Sequence, residues 1–163
     1  EFRRVLFRSV EKLAGVFRYT LQRGSAEMVP LREELEFIRG WMDIQRARFG
    51  ARLRVTMEAG EEAGEARIPA MMLQTLVENA LKHGVARSTA PCTVAVRAER
   101  EGAVLRLTVT DDGPGPVTFE NAAGHGLRSV RERLAGYYGS AARLTLRREG
   151  TPPVTTASVE IPL

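Results

Sequence analysis

The chain has 163 residues, 44% hydrophobic and 27% charged, enough to bury one substantial core and ordinary for a soluble globular protein. No apolar run approaches the roughly 18 residues of a membrane span, no secretory signal pattern opens the chain, and the single Cys92 excludes an internal disulfide. The isoelectric point near 9.8 invites a nucleic-acid partner, but basic and acidic residues alternate, and one Trp, three Tyr and six Phe are too few for a base-stacking platform, so none is expected.

Residues 1–9 (E-F-R-R-V-L-F-R-S) read as translated sequencing-adapter DNA and are set aside from fold reasoning, as a tag would be. Glu1, Arg3, Arg4 and Arg8 lie there and carry half of the formal net charge of +4. The expectation is a natural protein cut at Val10, with its N-terminal part missing. Val10, Leu13, Val16, Phe17 and Leu21 fall at helical spacing and stop at Gly24. After a turn containing Pro30, the residues Leu31, Leu35, Ile38, Met42 and Phe49 repeat at helical steps, with Gln45 at the polar one. Phe37, Trp41 and Ile44 widen that stripe, which predicts a helix covered by another helix and by a sheet. Arg52–Glu58 alternates as a strand, Ala59–Ala66 is a Gly/Glu-rich loop, and Ile68-Pro69 leads into a helix carrying Met71 to Leu81. Thr93–Ala98 and Val104–Thr110 are predicted strands of a hairpin around Glu101-Gly102. A loop over 114–124 precedes a helix over about Leu127–Tyr137, and Ala142–Arg148 and Thr155–Ile161 close the chain as strands. The fold class expected is α/β: a two-layer sandwich with a mixed, mostly antiparallel sheet, helices on one face, and two helices in front.

Three short blocks carry chemistry. In L-V-E-N-A-L-K-H-G (Leu76–Gly84), Glu78, Asn79 and Lys82 lie within one turn of helix. An amide oxygen there can bind Mg²⁺, which keeps several waters and leans on substrate phosphates. Lys82 can meet phosphate as a point charge, and Glu78 can orient a water or accept a proton; a solvated Glu–Lys pair explains the same face. In D-D-G-P-G (Asp111–Gly115), a carboxylate at a strand end can accept the exocyclic amine of adenine, and glycines let backbone approach the ring. Taken alone, that block is an ordinary turn. In G-H-G-L (Gly124–Leu127), the N–H groups of a helix start suit a phosphate. It is not the dinucleotide fingerprint, because Ser129 stands where a third glycine is needed.

In this order and spacing the blocks resemble the N, G1 and G2 boxes of the GHKL superfamily, which includes gyrase, MutL and histidine kinases. L-Q-T-L-V-E-N-A-L-K-H-G (Leu73–Gly84), W-M-D-I-Q-R-A-R-F-G (Trp41–Gly50), G-L-R-S-V-R-E-R-L (Gly126–Leu134) and V-E-I-P (Val159–Pro162) are similar to the LytS-type sensor histidine kinases. The resemblance spans nearly all of Val10–Leu163 and implies a Bergerat-type ATP-binding fold, with ATP and Mg²⁺ as cofactors. It implies Asn79 as metal ligand, with Glu78 and Lys82 completing the catalytic set. It implies Asp111 as the adenine reader lined by Gly113 and Gly115, Lys82 and His83 near the phosphates, and Gly124, His125, Gly126 and Leu127 framing the triphosphate under a short lid. Thr155 or Thr156 would support adenine through a water, with Thr156 taken as the site residue; the stretch after Gly150 departs from the family's Gly-Gly-Thr pattern, and Ser129 replaces a frequent Asn.

The same resemblance implies a remnant of the dimerisation/phosphoacceptor helix and a linker helix over residues 10–50, and a GHKL ATP-binding catalytic domain over 51–163. It implies a homodimer in the full-length protein, a response-regulator receiver domain as partner, a cytoplasmic catalytic domain, and a membrane reached only through the missing N-terminal sensor region. The family's phosphoacceptor histidine lies in a P-H-F-L-F-N-like block that this sequence lacks; its two histidines, His83 and His125, fall inside the first and third blocks. The chain is therefore expected to bind ATP without autophosphorylating, the γ-phosphate going to a histidine outside it. Two further readings are a GHKL serine kinase of anti-sigma type, against which the two-helix lead-in argues, and a non-catalytic ATP-binding signalling module.

Overall fold

A computed structural model describes residues 27–115 and 125–163. The helix expected over Val10–Leu21 and the stretch 116–124, Gly124 included, lie outside the described residues, as does the side chain of His125. The chain runs β1 (Met28–Pro30), α1 (Leu31–Phe49), β2 (Leu53–Ala59), a single turn α2 (Glu61–Gly64), β3 (Arg67–Pro69), α3 (Met72–His83), β4 (Cys92–Glu101), β5 (Val104–Asp111), α4 (His125–Tyr138), β6 (Arg143–Glu149) and β7 (Val154–Pro162).

Five strands form one sheet in the order β2-β4-β5-β7-β6, with β2 parallel to β4 and the other neighbours antiparallel. Alternation decides its two faces. Val94, Val96, Leu105, Leu107, Val109, Ala157, Val159 and Ile161 are buried on one face, while the intervening Thr93, Ala95, Thr108, Thr110, Thr156 and Ser158 stay partly open on the other. Helices α1, α3 and α4 cover the apolar face, α1 against β2, α3 against β4 and β5, and α4 against β6. This is the expected sandwich.

Helix α1 is no appendage. Its Leu31, Leu35, Ile38, Met42 and Phe49 belong to the same core as the sheet, with Phe37 and Trp41 packed at the edge. Acidic Glu33 and Glu34 in its first turn and Arg46 and Arg48 in its last oppose the helix dipole, and Gly50, at φ 59°, turns the chain out of it. The turn expected at Pro30 and the approach at Ile68-Pro69 are instead β1 and β3, paired antiparallel with Val29 opposite Ile68. Three-residue strands are too short to display alternation, so only the pairing reveals them. The Gly/Glu-rich loop likewise holds one helical turn, α2, with Ala63 buried.

Candidate functional site

Strand register builds one end of the site. Asp111 closes β5 opposite Thr155 of β7, and Thr155 lies opposite Arg148 of β6, so three polar side chains form a row across the sheet end. Asp111 and Thr155 are each only 3% exposed. Arg148 Nη1 donates to Thr155 Oγ1 at 2.7 Å and to the Gly113 carbonyl at 2.8 Å, bracing the loop after β5 against the sheet. The Gly113 N–H donates to Asp111 Oδ1 at 3.2 Å, and Asp112 Oδ1 accepts from the Thr93 N–H at 2.6 Å, tying the loop to β4. Burial pushes the Asp111 carboxyl up to about 6; the Gly113 N–H and the Arg148 guanidinium oppose that shift, and Asp112 adds to it. At neutral pH the group remains mostly an anion with acceptor capacity to spare.

Glycine backbone roofs this carboxylate. A Cβ on Gly84, just past α3, would overlap the Asp111 carboxylate and sit 2.6 Å from the Ala80 carbonyl. One on Gly113 would lie 2.5 Å from the Gly84 carbonyl carbon, and one on Gly115 would lie 2.9 Å from Thr155 Oγ1. Only glycine lets the backbone come this close to the buried anion.

Helix α3 supplies the second wall. Thr75, Asn79 and His83 follow one another at four-residue steps and so share a face. A Cβ on Gly126, at the start of α4, would come within 3.0 Å of Thr75 Cγ2, which places that face beside the α4 N-terminus. Next to Asp111 stands Gly84, immediately after His83. The Thr75–Asn79–His83 stripe thus runs from the α4 start to the buried carboxylate. Burial, then the charges of Arg87 and Lys82, lower the His83 pKa, and its buried Nδ1 has no hydrogen-bond partner among the described residues. Leu127 is buried in the core and serves packing.

Glu78 and Lys82 are directed elsewhere. Gln74 Nε2 donates to Glu78 Oε1 at 2.9 Å, and Glu78 and Lys82 line a cavity of about 350 Å³ between α1 and α3, with Trp41, Gln45, Arg48 and Phe49. Of the set expected together, Glu78 and Lys82 thus line a cavity on the α1 side of α3. Thr156 also faces away: it lies opposite Thr110 and lines the open side of the sheet with Thr145, Ser158 and Glu160. Thr155, not Thr156, shares the face of Asp111, because a period of two sends neighbouring strand residues to opposite faces. Gly124 falls outside the described residues, and of His125 only the backbone, opening α4, is described.

A buried carboxylate under glycine backbone suits a flat ring bearing an amine, and the α4 start suits phosphate. Among the described residues no three His, Cys, Asp or Glu side chains converge on a metal position. A lone amide such as Asn79 fits a cation that arrives with phosphate oxygens and keeps its waters. Sequence reasoning passed over Gly84, which reads as an ordinary helix end, and Arg148, one of many scattered arginines. It also passed over Glu34, concealed as one more charge on a helix; only tertiary packing singles these out.

Two family models match the chain: "Histidine kinase" over residues 6–53 and "Histidine kinase-, DNA gyrase B-, and HSP90-like ATPase" over residues 64–163. Sensor histidine kinase BtsS of Escherichia coli is 38% identical over 130 residues, which is 80% of this chain and 23% of that protein. Sensor protein LytS of Bacillus subtilis is 27% identical over 164 residues, covering 93% of this chain and 28% of that protein. The chain therefore spans about a quarter of the length of these relatives. Among solved structures, the histidine kinase domain of the Erythrobacter litoralis blue-light activated kinase superposes with a TM-score of 0.63 at 26% identity, covering 97% of this chain and 79% of that one. Fold, ordered motifs and relatives agree: the chain belongs to the histidine kinase-, DNA gyrase B- and HSP90-like ATPase family, as an ATP-binding catalytic domain of the sensor histidine kinase kind.

Proposed function

We propose that this domain holds ATP with Mg²⁺ and that the full-length protein passes the γ-phosphate to a histidine on a dimerisation segment, for relay to an aspartate of a response-regulator receiver domain. A homodimeric, membrane-anchored sensor whose catalytic domains work in the cytoplasm belongs to the same proposal. The observation that carries the reading is Asp111, an ionisable group buried at a strand end beneath Gly84, Gly113 and Gly115.

In this reading Asp111 accepts the exocyclic amine of adenine, Thr155 supports the ring edge, and Arg148 holds both in register. Asn79 is the protein's ligand to the metal, and the backbone from Gly124 through His125 and Gly126 to Leu127 meets the phosphates. His83, whose pKa burial lowers, offers its imidazole at the same wall. Lys82, on the α1 side with Glu78, is assigned no phosphate contact in this arrangement. Glu78, tied to Gln74 and turned to the α1 side, is assigned no proton transfer. Bound Mg²⁺ would neutralise charge on the phosphate oxygens. Phosphoryl transfer needs mainly positioning and charge stabilisation, and this chain's groups supply both for the nucleotide.

The test uses ATP titration with Mg²⁺, followed by γ-labelled ATP with a histidine-containing dimerisation segment added in trans. Tight ATP binding and acid-labile label on that segment are expected. Acid-stable label on a serine would favour the anti-sigma type, and binding with no transfer to any added segment would favour a non-catalytic module.

A further inference from the structure

Glu34 of α1 is a carboxylate only 1% exposed, far in sequence from every nucleotide motif. Its Oε2 accepts the Leu73 N–H at 2.8 Å, at the first turn of α3. That turn has no cap of its own: Met71 precedes the helix in the left-handed region at φ 63°, with no side-chain hydrogen bond to the helix start. A helix start leaves several N–H groups unsatisfied and attracts negative charge, and here a different helix supplies it. The Arg133 guanidinium of α4 stands nearby and donates to the Ala70 carbonyl at 2.7 Å. Thr75, one turn along α3, is fixed by Oγ1 donating to the Met71 carbonyl at 2.8 Å and meets Gly126 of α4 at the end of the site where phosphate is proposed. Glu34 Oε1 is buried with no hydrogen-bond partner among the described residues. The cost of burying this carboxylate is offset in part by the Met71 and Gln74 N–H groups and the Arg133 charge, which face it together with the Leu73 N–H.

We propose that Glu34 is a positioning residue, through which α1 holds the first turn of α3 against the start of α4 and so sets the geometry of the phosphate end of the nucleotide site. The inference rests on the ATP-binding reading above. It separates the two ends of the ligand: Asp111 stands on β5 and reads the base without help from Glu34, whereas Thr75 and Gly126 meet across the turn that Glu34 caps. Displacement of α1, the element that leads into the catalytic unit, would then alter phosphate binding before adenine binding.

The experiment measures affinity for adenosine and for ATP with Mg²⁺ in the intact chain, for wild type, Glu34→Ala, Glu34→Gln and Asp111→Asn. Glu34→Ala should leave adenosine affinity within about twofold and reduce the ATP-over-adenosine preference by roughly tenfold or more, the worth of a lost charged hydrogen bond. Glu34→Gln, which keeps an acceptor at the same reach, should restore most of that preference. If Glu34→Ala fails to fold, Glu34→Asp replaces it: one methylene shorter, it should fall short of the Leu73 N–H and lose the preference too. An unchanged ATP-over-adenosine ratio in the folded Ala or Asp variant overturns the positioning role, as does equal loss of both ligands. Binding of neither ligand by wild type overturns the nucleotide reading and this inference with it. Loss of both ligands in Asp111→Asn alone shows the reading sound and isolates any failure to Glu34.

Discussion

Asp111 and Glu34 are the buried carboxylates among the described residues, at 3% and 1% exposure. Burial raises the pKa of both, to about 6 and about 7, yet their surroundings differ in kind. Asp111 is roofed by Gly84 and Gly113, flanked by Gly115, and backed by Thr155 and Arg148. Glu34 faces the backbone N–H groups of Leu73, Met71 and Gln74 and the Arg133 guanidinium, which oppose the effect of burial. One carboxylate lies where glycine backbone approaches it more closely than any side chain would allow; the other lies where a helix start needs an acceptor. A perturbed ionisable group alone therefore does not mark a ligand site; the surroundings of each group have to be read as well.

The comparison is broken most decisively by pH. Glu34 has a folded pKa raised from 4.5 to about 7, so the folded state binds its proton more tightly than the unfolded chain does. Its contribution to stability is then fully present below pH 4.5 and is lost as pH rises through 7. Relative to Glu34→Gln, wild type should lose on the order of 3 kcal/mol across that window, read from urea melts at pH 4.5 and 8. Parallel curves for the two proteins would show that Glu34 does not titrate in the core.

At Asp111 the expected effect is on ligand. Asp111→Asn turns an acceptor into a mixed group and should weaken ATP binding about 10- to 100-fold at pH 8, the range for a hydrogen bond to a charged partner. Wild-type affinity should also fall as pH drops through about 6, because protonation removes the anionic acceptor, while the variant stays flat. Isothermal titration at both pH values decides it, and equal affinities would remove adenine reading from Asp111.

Smaller effects sharpen the contrast between filled and empty space. Gly84→Ala pushes a methyl into the Asp111 carboxylate and should cost about 1–3 kcal/mol by overpacking. Gly40→Ala, in the middle of α1 with nothing within 4 Å of the added atom, should instead stabilise by about 0.5–1 kcal/mol. Thermal melts of the pair give the signs, and matching signs would contradict the close-approach account of Gly84. Finally, Thr155→Ala should cost about 1 kcal/mol through its lost hydrogen bond to Arg148, and Thr156→Ala, on the open face, less than about 0.5 kcal/mol. The reverse order would mean that the sheet faces have been exchanged.

Much of this molecule is legible before any fold is known. The stripe over Leu31–Phe49, the alternation in Val104–Thr110 and the hairpin at Glu101-Gly102, where glycine takes φ 61°, are local patterns, and local patterns survive into the structure. The three motif blocks likewise announce a nucleotide family, since their residue types and spacing are properties of the chain itself. Tertiary packing alone decided which neighbour faces which way. Thr155 rather than Thr156 joins Asp111, because pairing register sets the face; Glu78 turns toward α1, because the core stripe of α3 sets the rotation of the helix. Gly84 lies over Asp111, and Glu34 caps a helix 39 residues further along the chain, by contacts between segments whose separation no local period encodes.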